Sequence, residues 1–465
     1  MKWKVNVITT NTGQAIDQNR ITPGLRARQE VPKPTRPEIT GRELSELLAP
    51  ISPEVFEREY WGRKPLFIKG GEEKLERILP GGFGLEDFFR GTREAESRRA
   101  PGFLLWARTS FAKSDPMTYI RSDMIDEKFT AGANIASINL SDPRIVTLAA
   151  ALKTQLKFAG DMHCALTLSP EGNGWPVHVD RSDTISLQCQ GRKRYVFSEA
   201  PVLAWPRGSI VIAADGSPEY FSYDPLPWEE EMRAEIGELH EVTLEPGDVF
   251  YFPAGTLHTT ESLSPSSLAL NFVLNHPSFF DVVMELLRTR LISNPDWRHL
   301  PAPGASSMQP GRLPPEVEEF FDARLKELSR EIESLEPAGF ALNREWQKLL
   351  AEPGEHIRAQ LATLAEPAES ETVERQDVLR LTRRAVTSYA IGTEDDGSTV
   401  ISMYLGAREV SLDNEWVPFL RTMILKESFV AESATQWAEG AEPYPWETAQ
   451  EYLQTLLSEG FLERA

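Results

Sequence analysis

Two histidines and an aspartate set the chemistry open to this chain. His178 and Asp180 sit two residues apart in Trp175-Pro-Val-His-Val-Asp180. His258 lies far downstream, closing Pro246-Gly-Asp-Val-Phe-Tyr-Phe-Pro-Ala-Gly-Thr-Leu-His258. Two imidazoles and one carboxylate on a single ion leave coordination positions open, the donor set of non-haem Fe(II) centres that activate oxygen. On a strand, residues two apart point to the same face, so His178 and Asp180 can share one ion. The third donor must then come from a neighbouring strand, which demands a closed, barrel-like sheet.

The elements needed to position these donors are legible around them. Glu241-Val-Thr-Leu-Glu-Pro-Gly-Asp-Val-Phe-Tyr-Phe reads as strand, turn, strand, with Pro246 and Gly247 at the turn. Pro253-Ala-Gly255 makes a second turn that delivers His258 to the start of another strand. After His178, Thr184-Ile-Ser-Leu-Gln-Cys-Gln190 alternates polar and apolar residues, turns at Gly191, and resumes as Arg192-Lys-Arg-Tyr-Val-Phe197. Short strands at this spacing predict a closed or double-layered antiparallel β architecture.

The ordered set His-x-Asp, Gly191-Arg-Lys-Arg194 and Pro-Gly-Asp-x-x-Tyr-x-Pro-x-Gly-x-x-His resembles the JmjC group of 2-oxoglutarate-dependent hydroxylases. Tyr60-Trp-Gly-Arg-Lys-Pro-Leu-Phe-Ile68 is similar to the segment that opens the ribosomal-oxygenase branch, whose members hydroxylate ribosomal proteins. The resemblance covers residues 40 to 276 by motif and the rest by architecture. It implies an α+β chain built on a double-stranded β-helix, a jelly-roll or cupin-like barrel, with flanking helices. It also implies Fe(II) as the metal and 2-oxoglutarate as cosubstrate.

Carried over residue by residue, the resemblance makes His178, Asp180 and His258 the iron ligands and catalytic centre. Lys193 becomes the cation that pairs with the distal carboxylate of 2-oxoglutarate, since a buried carboxylate needs such a partner. Asn271, in Leu268-Ala-Leu-Asn-Phe-Val273, and the inward-facing Thr184 are further cosubstrate contacts. Cys164 departs from the pattern, standing where a polar asparagine is expected in that branch.

Each residue also has a plainer reading. A single histidine at a strand end is more often a hydrogen-bonded structural group, and only the ordered set outweighs that. Lys193 could belong to a solvated charge run, although strand alternation sets it on the face opposite Arg192 and Arg194. Asn271 could simply satisfy backbone groups. His163, near Asp161, and His240, His276, His299 and His356 have no companions that imply chemistry. Two other classes stay open: a metal cupin enzyme that does not use 2-oxoglutarate, and a non-catalytic binding module.

The 465 residues suffice for two to four domains. A formal net charge of −21 argues against nucleic acid and for a basic protein or peptide partner. The chain has two cysteines, Cys164 and Cys189, without zinc spacing, which fits a reducing cytoplasm. No apolar run is long enough for a bilayer and no signal-peptide pattern opens the chain, so no membrane partner is expected.

Along the chain, residues 1–38 form an arm ending in a proline-rich linker, Pro32-Lys-Pro-Thr-Arg-Pro37. Residues 39–276 form the catalytic domain, opened by a helix with a Thr40–Glu43 capping box. Gly81-Gly-Phe-Gly84 reads as a turn and not a phosphate loop. Ala200 to His240 reads as an insertion rich in aromatic and acidic residues, including Trp228-Glu-Glu-Glu231, either a solvated loop or a wall of the substrate groove. Residues 277–370 carry helical spacing at Phe279–Arg288 and Val317–Leu328, the dimerisation region in the resembled branch or a cap on the barrel. Residues 371–465 read as helix (Gln376–Tyr389), strand (Thr399–Tyr404), helix (Trp416–Leu425) and helix (Trp446–Glu459). That order is winged-helix-like, and its acidity favours a structural or protein-contact role over DNA.

Overall fold

In the computed structural model, the residues described are 39–100, 102–109, 118–221, 233–305, 308, 310–335, 339–352, 354, 357, 372–383, 387–393, 399–405, 408–438 and 442–465. The arm 1–38, Trp228–Glu231, His356 and the acidic stretch 366–371 lie outside them. The chain divides into two compact units: Met1–Leu156 with Met162–Asn275 and Gly354–Glu366, and Lys157–Asp161 with His276–Pro353 and Pro367–Ala465.

The first unit opens with α1 (Glu43–Leu48), α2 (Pro53–Glu59), β1 (Leu66–Ile68), α3 (Glu72–Ile78) and α4 (Leu85–Arg98). It continues through β2 (Leu104–Arg108), β3 (Thr118–Tyr119), α5 (Ile125–Thr130), β4 (Asn134–Ile138), α6 (Pro143–Leu156) and β5 (Asp161–Pro170). The barrel strands follow: β6 (His178–Val179), β7 (Asp183–Gln190), β8 (Lys193–Pro201), β9 (Ile210–Ile212), β10 (Pro218–Phe221), β11 (Leu239–Leu244), β12 (Val249–Phe252), β13 (Thr256–Ser262) and β14 (Ser266–Asn275). The opening helix starts later than its sequence suggests. Glu43 accepts from the Thr40 N–H at 2.6 Å, but Arg42 is the N-cap and the helix begins at Glu43. The glycine cluster is a turn: Gly81 and Gly82 take φ of 82° and 67°, and Gly84 is the N-cap of α4.

These strands make two sheets, ordered β1-β12-β7-β14-β5-β4-β2-β3 and β10-β9-β6-β13-β8-β11. The central pairs β12–β7, β14–β7, β13–β6, β13–β8 and β11–β8 are all antiparallel. Contacts across the gap show that the sheets face each other. Tyr195 and Leu244 of the smaller sheet share one buried cluster with Phe250 and Phe252 of the larger. Burying each such side chain contributes about 1.5–3 kcal/mol, so this cluster helps to hold the sheets together. Helix α6 is buried along its whole middle, Arg144 through Lys153, the mark of a helix covered on all sides.

Within Ala200–His240, strands form where an insertion was expected. Ile210-Val-Ile212 is strand β9, pairing His178 with Val211, and β10 extends the same sheet. A run of β-branched residues beside a free sheet edge explains it.

In the second unit, α7 (Phe279–Leu291) and α8 (Pro315–Glu333) follow the expected helical spacing, and α9 (Phe340–Ala351) is a further helix that the sequence reading did not name. Then come β15 (Val378–Leu381), β16 (Thr387–Thr393), β17 (Thr399–Leu405), β18 (Arg408–Asp413), α10 (Val417–Ile424), β19 (Phe429–Val430), α11 (Trp446–Ser458) and β20 (Leu462–Arg464). The helix expected over Gln376–Tyr389 is therefore replaced by strands. Thr387-Ser-Tyr-Ala-Ile-Gly-Thr393 pairs along its whole length with β17, and that ladder overrides local helical propensity. The expected strand and the two later helices are present, packed around Phe419, Leu420, Met423, Tyr452, Leu453 and Leu456.

Candidate metal centre

The three donors meet because of sheet register. His258 of β13 is the Cα partner of His178 of β6, and Asp180 follows just beyond the end of β6. One ligand atom from each of His178, Asp180 and His258 lies within 4.8 Å of the others. Nε2 of His178 stands 3.6 Å from Asp180 Oδ2, and Nε2 of His258 stands 3.7 Å from the same oxygen.

Second contacts orient each donor. His178 Nδ1 lies 2.7 Å from the Pro176 carbonyl, and His258 Nδ1 lies 3.0 Å from the Thr256 carbonyl. A carbonyl only accepts, so each Nδ1 carries the proton and each Nε2 presents its lone pair to the shared point. Asp180 Oδ1 accepts from Ser209 Oγ at 2.6 Å, which leaves Oδ2 for the ion. Ser209 precedes β9, in the segment read from sequence as a loop, so nothing marked it as a partner of the site. Ser209→Ala should weaken metal binding roughly tenfold or more, as loss of an orienting contact does, with the fold retained. Titration of the metal-free protein with Co(II) reads this directly.

The electrostatics suit a cation. For His258, burial first and then the charge of His178 lower the pKa to about 3, so its imidazole is neutral and ligand-ready. For Asp180, burial opposes ionisation, but His178, His258 and the Ser209 hydrogen bond outweigh it and hold the carboxylate below its ordinary range. Burial pulls His178 down, and Asp180 with the Pro176 carbonyl more than offsets that. A divalent ion in place of the shared proton fits this donor set. Aromatic rings wall the site: Phe252 lies 4.3 Å from His258, Trp175 6.3 Å from His178, and Trp106 5.2 Å from Trp175 (ring centroids).

Lys193 is 1% exposed, whereas Arg192, just before β8, and Arg194, within it, turn outward to Glu245 and Glu261. Its ammonium donates to Thr167 Oγ1 at 3.0 Å, and among the described residues it has no carboxylate partner. Burial lowers its pKa to about 8. Thr167, on β5, carried no signal in the sequence beyond strand alternation. On the neighbouring strand β13, Ser262 is the Cα partner of Lys193 and lies four residues past His258, roughly 13 Å along the strand at its usual rise.

The other sequence candidates divide. Asn271 pairs with Ser186 in register and donates its amide to the Ala165 carbonyl at 3.1 Å. Thr184 is buried opposite Phe252 and Val273. Ser186 Oγ meets the Tyr195 hydroxyl at 3.1 Å across the barrel. Cys164 is buried, and it stands an odd number of positions from Thr167 on the same strand. Alternation therefore turns it to the other face, away from Lys193. His163 lies 3.1 Å from the Asn275 amide through Nδ1. Among the described residues, the triad forms the one cluster of three or more metal-ligating groups.

Residues 147–282 match the family model of the JmjC domain. The uncharacterized protein YxbC of Bacillus subtilis is 25% identical over 319 residues, covering 64% of this chain and 90% of that protein. Ribosomal oxygenase 1 of Gallus gallus is 28% identical over 240 residues, covering 49% of this chain and 35% of that protein, so the match spans about a third of its length. The crystal structure of the Escherichia coli ribosomal oxygenase YcfD superposes with a TM-score of 0.50 at 15% identity, over 89% of this chain and 98% of that one, a likeness of fold alone. The His178–Asp180–His258 triad thus lies within the stretch that matches the JmjC-domain model, in a chain similar to the ribosomal oxygenases.

Proposed function

We propose that this protein is an Fe(II)- and 2-oxoglutarate-dependent oxygenase that hydroxylates an amino-acid side chain of a protein or peptide. The observation that carries the reading is Lys193, a buried ammonium in the barrel that holds the triad, with a hydroxyl but, among the described residues, no carboxylate beside it. A charge so buried is costly unless a partner arrives, and a short dicarboxylic acid supplies one. His178, Asp180 and His258 hold the metal, Lys193 and Thr167 bind the far carboxylate, and Asn271 and Thr184 line the space between. Bound iron and 2-oxoglutarate supply the oxidation of a C–H bond by O₂, with release of succinate and CO₂. The protein orients the acid between its two ends, and Phe252, Trp175 and Trp106 keep water from the metal side.

Anaerobic addition of Fe(II) and then 2-oxoglutarate should produce a weak visible charge-transfer band, and air should then convert 2-oxoglutarate to succinate. A metal cupin of another kind would bind iron without that band, and a binding module would give neither.

The substrate is a basic polypeptide. A chain of net charge −21 favours one, and its capture should weaken as salt rises. A ribosomal protein or the precursor of a peptide natural product fits, with Arg or His as the modified residue and Asp or Asn next. Modification adds one oxygen, about 16 Da by elemental mass, at a side chain gripped by rim loops. If lysate peptides and ribosomal proteins gain no oxygen while a small metabolite does, the polypeptide substrate is wrong and the oxygenase assignment stands.

The second unit joins two copies. Phe279 and Phe280 on α7 are 78% and 69% exposed, and α8 has no buried residue of its own. An apolar cleft of about 670 Å³ lies beside them, lined by Val282, Leu287, Leu291, Trp297 and Leu349. The acidic C-terminal segment, winged-helix-like apart from its first element, serves protein contacts and not nucleic acid. Cys164 and Cys189 are both free thiols and buried, and a reducing cytoplasm is the compartment proposed for such a chain. No helix among the described residues is long and apolar enough to cross a membrane.

A further inference from the structure

Asp183 opens β7 as a carboxylate 1% exposed, outside the donor triad. A buried carboxylate is expensive to keep, so its partners show what it does. Oδ1 accepts from the main-chain N–H of Ala254 at 2.9 Å, and Oδ2 accepts from the Tyr251 hydroxyl at 2.7 Å. The next amide along, that of Gly255, donates to the main-chain carbonyl of Asp180 at 2.8 Å. Consecutive N–H groups of one turn are thus divided between the Asp183 side chain and the Asp180 backbone.

That turn leads directly into β13 and His258. The segment it grips runs from Asp180 to Asp183 and joins β6 to β7. The turn is itself tightly held: Gly255 has φ of 78°, and a Cβ there would lie 1.8 Å from the Leu203 carbonyl oxygen. Tyr251, fully buried, completes the arrangement. Its hydroxyl accepts from the Gly62 N–H at 2.7 Å, and its ring stacks on Trp61 at 5.8 Å and meets Phe56 edge-on at 4.9 Å. The Tyr60–Ile68 motif is therefore anchored to the same carboxylate. Burial and the neighbouring Asp183 push the Tyr251 pKa upward, so the hydroxyl stays a donor.

We infer that Asp183 is a positioning residue of the metal centre: with Tyr251 it clips the 253–255 turn to the 180–183 segment and so sets the spacing between Asp180 and His258. The inference rests on the metal reading of the triad. Its chemistry is that of an outer contact, which aligns donors without touching the ion.

The test is Co(II) titration of the metal-free protein, followed by visible absorption well below the unfolding midpoint. Asp183→Asn keeps the shape and an acceptor for Ala254, but sets an N–H₂ against a hydroxyl that already accepts from Gly62. Tyr251→Phe removes the other arm. Asp183→Asn should weaken Co(II) binding about 10- to 100-fold and alter the absorption envelope, and Tyr251→Phe should do so by less. In the double variant the loss should not exceed that of Asp183→Asn. A purely structural role would lower the thermal midpoint and leave the Co(II) affinity of the folded protein unchanged. If Asp183→Asn does not fold, Tyr251→Phe decides: wild-type affinity and spectrum in that variant overturn the clip. Wild-type protein that takes up no Co(II) overturns instead the metal reading, and the clip with it.

Discussion

Asp180→Ala is expected to reduce metal-dependent 2-oxoglutarate turnover to the level of the metal-free protein. The carboxylate contributes the one anionic donor, and both histidines aim their free nitrogens at its Oδ2. His178→Ala should have the same effect. The fold should survive either change, because the Tyr195, Leu244, Phe250 and Phe252 cluster between the sheets includes neither His178 nor Asp180. Circular dichroism and the thermal midpoint check the fold, and succinate release at controlled Fe(II) checks the chemistry. An Asp180→Ala protein with full turnover would remove the triad from consideration as the iron site.

Lys193→Ala should raise the concentration of 2-oxoglutarate needed for half-maximal turnover by roughly ten- to a hundredfold, the effect of losing a charge-assisted pair of about 1.5–3 kcal/mol. The requirement for iron should change little. A pH profile separates this from general damage. Burial brings the Lys193 pKa down to about 8, so the free protein loses the ammonium as pH rises through that value. Anion binding then requires proton uptake, and apparent affinity for 2-oxoglutarate should be flat below about pH 8 and fall above it. The sign for folding is opposite: the unfolded lysine keeps its proton to higher pH, so this group adds stability as pH rises from about 8 towards 10.5. Lys193→Arg should bind 2-oxoglutarate less well through altered geometry, yet abolish the fall above pH 8, since guanidinium stays charged. An unchanged 2-oxoglutarate requirement in Lys193→Ala would end the anchor role and favour a plain metal cupin.

Much of the site was legible because its signals are local. His178 and Asp180 lie two residues apart, and the glycine and proline turns at 246–247 and 253–255 mark the strand ends that bring His258 back. The alternation that buries Lys193 and exposes Arg192 and Arg194 is a property of any strand, and the sequence carries it unaided. The same rule applied to Thr167 and Cys164 also separates their faces, but only once the contact with Lys193 shows which face is inside. In the C-terminal segment the short apolar pattern over Gln376–Tyr389 suits both helix and strand, and the long pairing of β16 with β17 decides for strand.

By itself, then, the sequence determined the donor types, their strand context and the buried cation, since each depends on neighbours within a few residues. Tertiary structure alone decided which side chains complete the centre. Ser209 reaches Asp180 because β9 joins the sheet beside β6, and Asp183 reaches Ala254 and Tyr251 because β12 and β7 pair. Single serine, threonine and aspartate residues have no periodic signature. Their partners are chosen by strand register between distant segments, and register is an outcome of packing the whole sheet.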